Sequence, residues 1–205
     1  MFLIWHRYEG REMLRRIAGV CGIASQVIGL VSLLVAVSMS PWFSWTENYL
    51  SVLGVKGSAT TLFNSGLILT GLLSLVFAIG LGKSFLSSRL LGQLGMVGLA
   101  LGSVALSAMG IFPRSIDIPH NCASLAFFLF ISLAIFLIGL RLITLSQKAW
   151  GVLSLTVVIL INVFQLIPWP WSGGAIPQLL SVLPWSLWTM TFGVRLLMKP
   201  ESASI

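Results

Sequence analysis

The stretch Arg15-Arg16-Ile-Ala-Gly-Val-Cys-Gly-Ile-Ala-Ser-Gln-Val-Ile-Gly-Leu-Val-Ser-Leu-Leu-Val-Ala-Val-Ser-Met39 sets two arginines ahead of an uncharged run from Ile17 to Met39. Crossing a bilayer core of about 30 Å takes roughly 20 apolar residues, and this run is long enough. Ala36-Val37-Ser38 resembles a small-residue cleavage site. The apolar run nevertheless exceeds the roughly 7–15 residues of a signal-peptide core, so a retained helix is predicted.

Five further segments repeat the pattern: Ser58–Leu81, Leu90–Ile111, Ile118–Leu140, Trp150–Ile167 and Ile176–Leu197. Across 205 residues, 57% are hydrophobic and 8% charged, with a mean hydropathy of +1.01. A soluble domain carries about a quarter charged residues, so that class is excluded. No alternating ten-residue strand pattern is present, which leaves helices as the spanning element. The expected fold is an all-α integral membrane protein, a six-helix transmembrane bundle over 17–198. An interfacial segment over 1–16, broken at Gly10, precedes it, and a polar tail over 199–205 follows. The longest polar gap, Ser40–Gly57, is too short for a core of its own.

Charge orients the bundle. Of twelve Lys and Arg residues, Arg7, Arg11, Arg15, Arg16, Lys83, Arg89, Arg141, Lys148, Arg195 and Lys199 fall on the side of the termini, and only Lys56 and Arg114 on the other. The positive-inside rule then predicts cytoplasmic termini. The net charge of +7 is accounted for by orientation and by attraction to anionic lipid, so membrane lipids are the expected partners and nucleic acid is not. Cys21 and Cys122 lie at opposite depths and predict no disulfide. His6 and His120 lie on opposite sides, so no metal is expected. No phosphate-binding glycine loop, HExxH or GxSxG motif points to a cofactor or a known active site. Small residues at helical spacing, Gly95, Gly98, Gly102 and Ala105 in span three and Gly22, Gln26 and Gly29 in span one, predict close helix contacts within the bundle. A homodimer or another membrane-protein partner using those faces is the alternative. The odd spans each run into proline with aromatic neighbours, at Pro41, Pro113 and Pro168. Proline stops a helix, and the aromatic rings there suit the headgroup level.

The poorly charged side holds the chemistry-bearing residues. From Ser44 the segment Ser44-Trp-Thr-Glu-Asn-Tyr-Leu-Ser51 predicts a short amphipathic helix, with Ser44 and Glu47 at capping-box spacing. In the second loop, Asp117 and His120 are near enough in sequence for the carboxylate to orient an imidazole for general-base work. The competing expectation is that Asp117 caps span four and Arg114 pairs with Glu47 or a lipid phosphate. Asn64, Asn121, Asn162, Gln165 and Gln178 all fall in the outer half of their spans. Amides there must find partners, so they predict a polar pocket opening outward, with Asn48, Trp45 and Arg114 at its mouth.

Phe43-Ser-Trp-Thr-Glu-Asn-Tyr-Leu-Ser-Val-Leu-Gly54, Phe63-Asn64-Ser-Gly66, Gly110-Ile-Phe-Pro113 and His120-Asn121 resemble, in order and spacing, the prokaryotic six-span family catalogued as domain of unknown function 998. More remotely, the Ser-x-Leu-Gly turn, the Phe-Asn pair and the lone histidine are similar to the damage-regulated autophagy modulator and Frag/Sfk families. The resemblance implies the plasma membrane of a prokaryote and a membrane site near the Ser-rich loop and His120. Three functions are then expected in descending order. The first is a lipid-binding, regulatory or scaffold protein whose outward pocket holds a lipid or amphipath. The second is a lipid hydrolase or acyl-transfer enzyme, with His120 as base, Asp117 or Glu47 as its orienter and Ser44 or Ser51 as nucleophile. The third is a small transporter, which the absence of a carboxylate at mid-bilayer disfavours.

Overall fold

A computed structural model describes residues 2–86 and 89–198; the side chains of 2–9, 11, 85 and 86 lie outside that description, as does the tail expected over 199–205. The described residues form six α-helices: α1 (Phe2–Ser38), α2 (Thr60–Leu81), α3 (Leu90–Ile111), α4 (Asp117–Thr144), α5 (Lys148–Leu166) and α6 (Ala175–Met198). A 3-10 helix, Leu50–Gly54, sits in the first loop, and a π-helical turn, Gly82–Leu86, extends α2. No strand occurs among the described residues. Among the described residues, five helices are long and apolar enough to cross a membrane. The sixth, α6, has the length but carries Gln178, Ser181, Ser186, Thr189 and two prolines, which dilute its hydropathy.

Helix ends follow the prolines. α1, α3 and α5 stop at Ser38, Ile111 and Leu166, shortly before Pro41, Pro113 and Pro168. The expected break at Gly10 does not form: α1 runs through it as one helix of 37 residues. A mid-helix glycine costs only about 1 kcal/mol relative to alanine, too little to interrupt a helix with such long apolar support downstream. At 1.5 Å per residue α1 is about 55 Å long and overshoots a 30 Å hydrocarbon core. Its charged turn, where Glu12 pairs with Arg15 at 2.8 Å and Arg16 at 3.7 Å, therefore lies at the level where the membrane ends. There Arg15 also donates to the Leu196 carbonyl of α6, which places the start of α1 and the end of α6 at one end of the bundle.

Successive helices pack side by side, and α6 closes the ring against α1. With no hydrophobic force between helices in lipid, close contact must come from shape, and small residues supply it. A Cβ built on Gly98 would sit 3.2 Å from the Ala134 methyl of α4, and one on Gly102 would meet Ile131 at 2.7 Å. On α1, Gly22 abuts Phe77 and Gly29 abuts Thr70, while Gln26 donates to Ser74, all on α2. Both small-residue stripes are thus consumed inside the chain. Toward the termini the interior is filled by aromatic rings: Trp188 lies edge-on to Phe77 at 6.3 Å and 4.4 Å from Phe192, and Trp150 completes the group at 5.2 Å from Phe192. Cys21 and Cys122 are both free.

Candidate functional site

The end of the bundle away from the termini is covered by the loop between α1 and α2. The capping box predicted from Ser44 does not form an α-helix. Instead the Asn48 side chain accepts from the Ser44 amide at 2.8 Å, and the Asn48 amide returns to the Ser44 carbonyl at 3.0 Å, closing a tight turn. An asparagine that folds back on a preceding amide competes with helix propagation. Glu47 therefore stands exposed at the tip, and the Ser44 hydroxyl meets only Thr46, at 3.3 Å. Trp45 packs edge-on to Phe43 at 5.3 Å.

Tyr49 is extended, at φ −100° and ψ 151°, which lets the loop pair with the segment ahead of α6. Gly173 donates to the Thr46 carbonyl at 2.8 Å and Ala175 to the Asn48 carbonyl at 2.9 Å. A Cβ on Gly173 would fall 2.5 Å from the Glu47 carbonyl carbon, so only glycine permits this approach. Two amides pin the 3-10 helix below. Gln178 of α6 accepts from the Leu50 amide at 2.9 Å, and Asn64 of α2 donates to the Gly54 carbonyl at 2.9 Å. The loop is therefore a fitted cover held on both sides.

The second loop does not build the expected general base. His120 is 3% exposed and its Nδ1 lies 2.8 Å from the Phe112 carbonyl. A carbonyl can only accept, so Nδ1 carries a proton and donates it to Phe112. Asp117 is exposed, and its carboxylate accepts from Asn121 at 2.7 Å, one helical turn along. Helix α4 starts at Asp117 and takes Pro119 into its first turn, where the missing N–H is no loss. Ile118 is accordingly helical and not extended, and the Asp117–His120 pair is not joined. Nor does Arg114 meet Glu47. Its guanidinium carbon lies 4.4 Å over the Tyr49 ring, and Nη1 donates to the Ser51 hydroxyl at 3.2 Å.

Beneath the cover is a cavity of about 100 Å³ among α1, α2, α3, α4 and α6. It runs from Leu50, Ser51 and Gln178 under the loop to Gln26 and Thr70, with Leu33, Phe63, Leu67, Leu106, Met109 and Phe127 among its walls. The predicted polar pocket becomes an apolar one. Ser32 donates to the Gly29 carbonyl at 3.0 Å and Thr70 to the Gly66 carbonyl at 2.7 Å, each within its own helix. The Gln26 amide nitrogen donates to Ser25 and Ser74. In hydrocarbon such local bonds satisfy polar side chains without presenting them to the void.

Among the residues expected to bind a ligand, Gln178 reaches the cavity wall and Arg114 touches it through Ser51. Asn162 and Gln165 lie exposed on α5, outside the cavity, with Asn162 donating to Val158 and Ser132. Asn48, Asn64 and Asn121 hold backbone or a neighbouring side chain. Sequence reasoning missed Trp185 and Ser186, which line the cavity from α6. Trp185 Nε1 and Ser186 Oγ are buried without a hydrogen-bond partner. A tryptophan followed by serine inside an apolar helix was the available signal. No three His, Cys, Asp or Glu side chains converge among the described residues.

An all-helical membrane protein with a small, loop-covered apolar cavity is the class that this arrangement defines. The chain belongs to the family described as protein of unknown function (DUF998), which matches residues 23–195, from the body of α1 to the last turn of α6. No curated protein and no solved structure matches it.

Proposed function

We propose that this protein binds a lipid-like amphipath at the covered end of the bundle, with hydrocarbon in the cavity and the polar head at the loops, and acts as a binder or regulator in place of a hydrolase. The cavity is the observation that carries this reading. An apolar void of this order stays dry and takes up apolar molecules, as engineered cavities of about 150 Å³ do. A binder is favoured over acyl-transfer chemistry because the groups needed for that chemistry are engaged elsewhere: Ser51 with Arg114, His120 with the Phe112 carbonyl, Asp117 with Asn121. The ring cluster of Phe77, Trp188 and Phe192 fills the bundle toward the termini and argues against a transport path.

Because ten of the twelve Lys and Arg residues lie on the side of the termini, the covered end faces away from the cytoplasm on this reading, as it would in a prokaryotic plasma membrane. The test is native mass spectrometry of the purified full chain beside Val182→Phe, which places a ring in the cavity wall. Retained lipid in the wild type and its loss in the variant are expected. A wild type that carries no lipid and takes up none on addition would end the proposal.

A further inference from the structure

We infer that the head of this ligand is anionic and that Arg114 recognises it, an assignment that rests on the binding reading above. Arg114 is half-buried and reaches Ser51, a residue of the cavity wall, and no carboxylate lies within 4 Å of it among the described residues, where the ion pairs are those of Glu12 with Arg15 and Arg16. Its flat guanidinium has five N–H donors. One is used, by Nη1 on Ser51, while Tyr49 covers one face at 4.4 Å. An arginine seated over a ring, with donors beyond the one on Ser51, is suited to two-point recognition of a carboxylate or phosphate.

The Ser51 bond ties this charge to the chain-binding space. Ser51 is 6% exposed and itself lines the cavity, so an oxygen at the guanidinium sits next to where the hydrocarbon would begin. The mount is stiff. Ile116 donates to the Pro113 carbonyl at 2.8 Å, the His120 amide to Ile116 at 3.1 Å, and His120 Nδ1–H to Phe112 at 2.8 Å, so the turn bearing Arg114 is fastened on both sides. His120 is in this account a positioning residue. The two nearby acids do not supply the missing charge: Glu47 points outward and Asp117 is occupied by Asn121. Lys56, the other cation at this end, lies 4.8 Å over Trp42, is exposed and does not line the cavity.

The full chain in nanodiscs of neutral phosphatidylcholine, offered palmitate, hexadecyl phosphate or hexadecanol, tests this by ligand retention in native mass spectrometry. Both anions should be retained about tenfold or more over the alcohol, the scale of a charge-assisted hydrogen bond. Their order separates a carboxylate head from a phosphate head. Arg114→Gln should erase the preference while keeping hexadecanol, which doubles as the check on folding; Lys56→Gln should leave the preference intact. If Arg114→Gln fails to fold, Arg114→Lys, which keeps the charge without the flat fork, should show a reduced preference. Equal retention of all three by the wild type would overturn the anionic head and leave the binder standing, as would a preference that survives Arg114→Gln for the role of Arg114. Retention of none would remove both.

Discussion

The seam between α2 and α3 and the covered end of the bundle are built from the same apolar alphabet and differ in how much space they leave. At the seam, a Cβ on Gly71 would fall 2.5 Å from the Ser103 carbonyl oxygen and 2.7 Å from the Ser107 nitrogen, so backbone lies on backbone. At the covered end, Leu33, Phe63, Leu67 and Phe127 surround a cavity of about 100 Å³. Helices in lipid gain little from burying apolar surface against one another, so contact is the main source of cohesion and a void is a direct loss. The seam is where the bundle is held together, and the covered end is where it gives up cohesion for room.

The sharpest way to break this contrast is to add atoms at each place. Gly71→Ala should destabilise by about 3 kcal/mol, the upper part of the range for overpacking, because besides the Ser107 hydroxyl it meets two main-chain atoms that cannot rotate aside. Equilibrium unfolding in mixed micelles would measure it. Val182→Phe adds more atoms yet should stabilise the lipid-free protein, by at most about 2 kcal/mol from the roughly 24 cal/mol per Å³ of cavity that the ring can fill. Equal and opposite signs are not required, but two destabilisations would mean the covered end is packed as tightly as the seam.

A second comparison concerns what fastens the cover. Gly173→Ala places a methyl group 2.5 to 2.6 Å from main-chain atoms of Glu47 and Asn48, so the pairing of Gly173 and Ala175 with Thr46 and Asn48 should open. Faster amide exchange at Gly173 and Ala175, with exchange in α3 and α4 unchanged, is the expected outcome. Uniformly faster exchange would show that the loop is part of the core and not a cover upon it.

Much of this organisation was legible before any coordinates. Helix number, the proline stops and the inward use of both small-residue stripes follow from periodicity, because residues three and four apart share a face whatever surrounds them. Which way a face turns is another matter. Gln178 and Gln165 look alike in sequence, each an amide near the far end of its span. One pins the 3-10 helix and the other stands exposed on α5. Likewise Asp117 and His120 are three residues apart on α4, yet the carboxylate finds its partner one turn on at Asn121 and the imidazole turns to the preceding loop. Hydrogen bonding within the helix settles local polar groups first, and that competition is invisible to spacing alone. Trp185 and Ser186 are a different case: a tryptophan followed by serine in an apolar helix marks a polar spot, but the pattern does not separate a cavity wall from a packed face.

The smallest effect divides the two tryptophans of α6, one at the cavity and one in the ring cluster. Trp188 Nε1 donates to Ser154 at 2.9 Å, whereas Trp185 Nε1 is buried with no partner. Replacing either by Phe removes a similar volume, so the cavity terms largely cancel and the difference reports the hydrogen bond. Trp188→Phe should cost about 0.6–1 kcal/mol more than Trp185→Phe, in line with hydrogen bonds between membrane helices. Deleting an unsatisfied buried donor relieves a desolvation cost, so Trp185→Phe should approach neutrality in the lipid-free protein. Added lipid sharpens the comparison further. If the occupant of the cavity carries an oxygen deep enough to accept from Trp185, lipid will stabilise the wild type more than Trp185→Phe; an occupant that is hydrocarbon throughout will stabilise both equally, which is the result expected from a wall that is almost wholly apolar, with Ser32 and Thr70 bonded within their own helices.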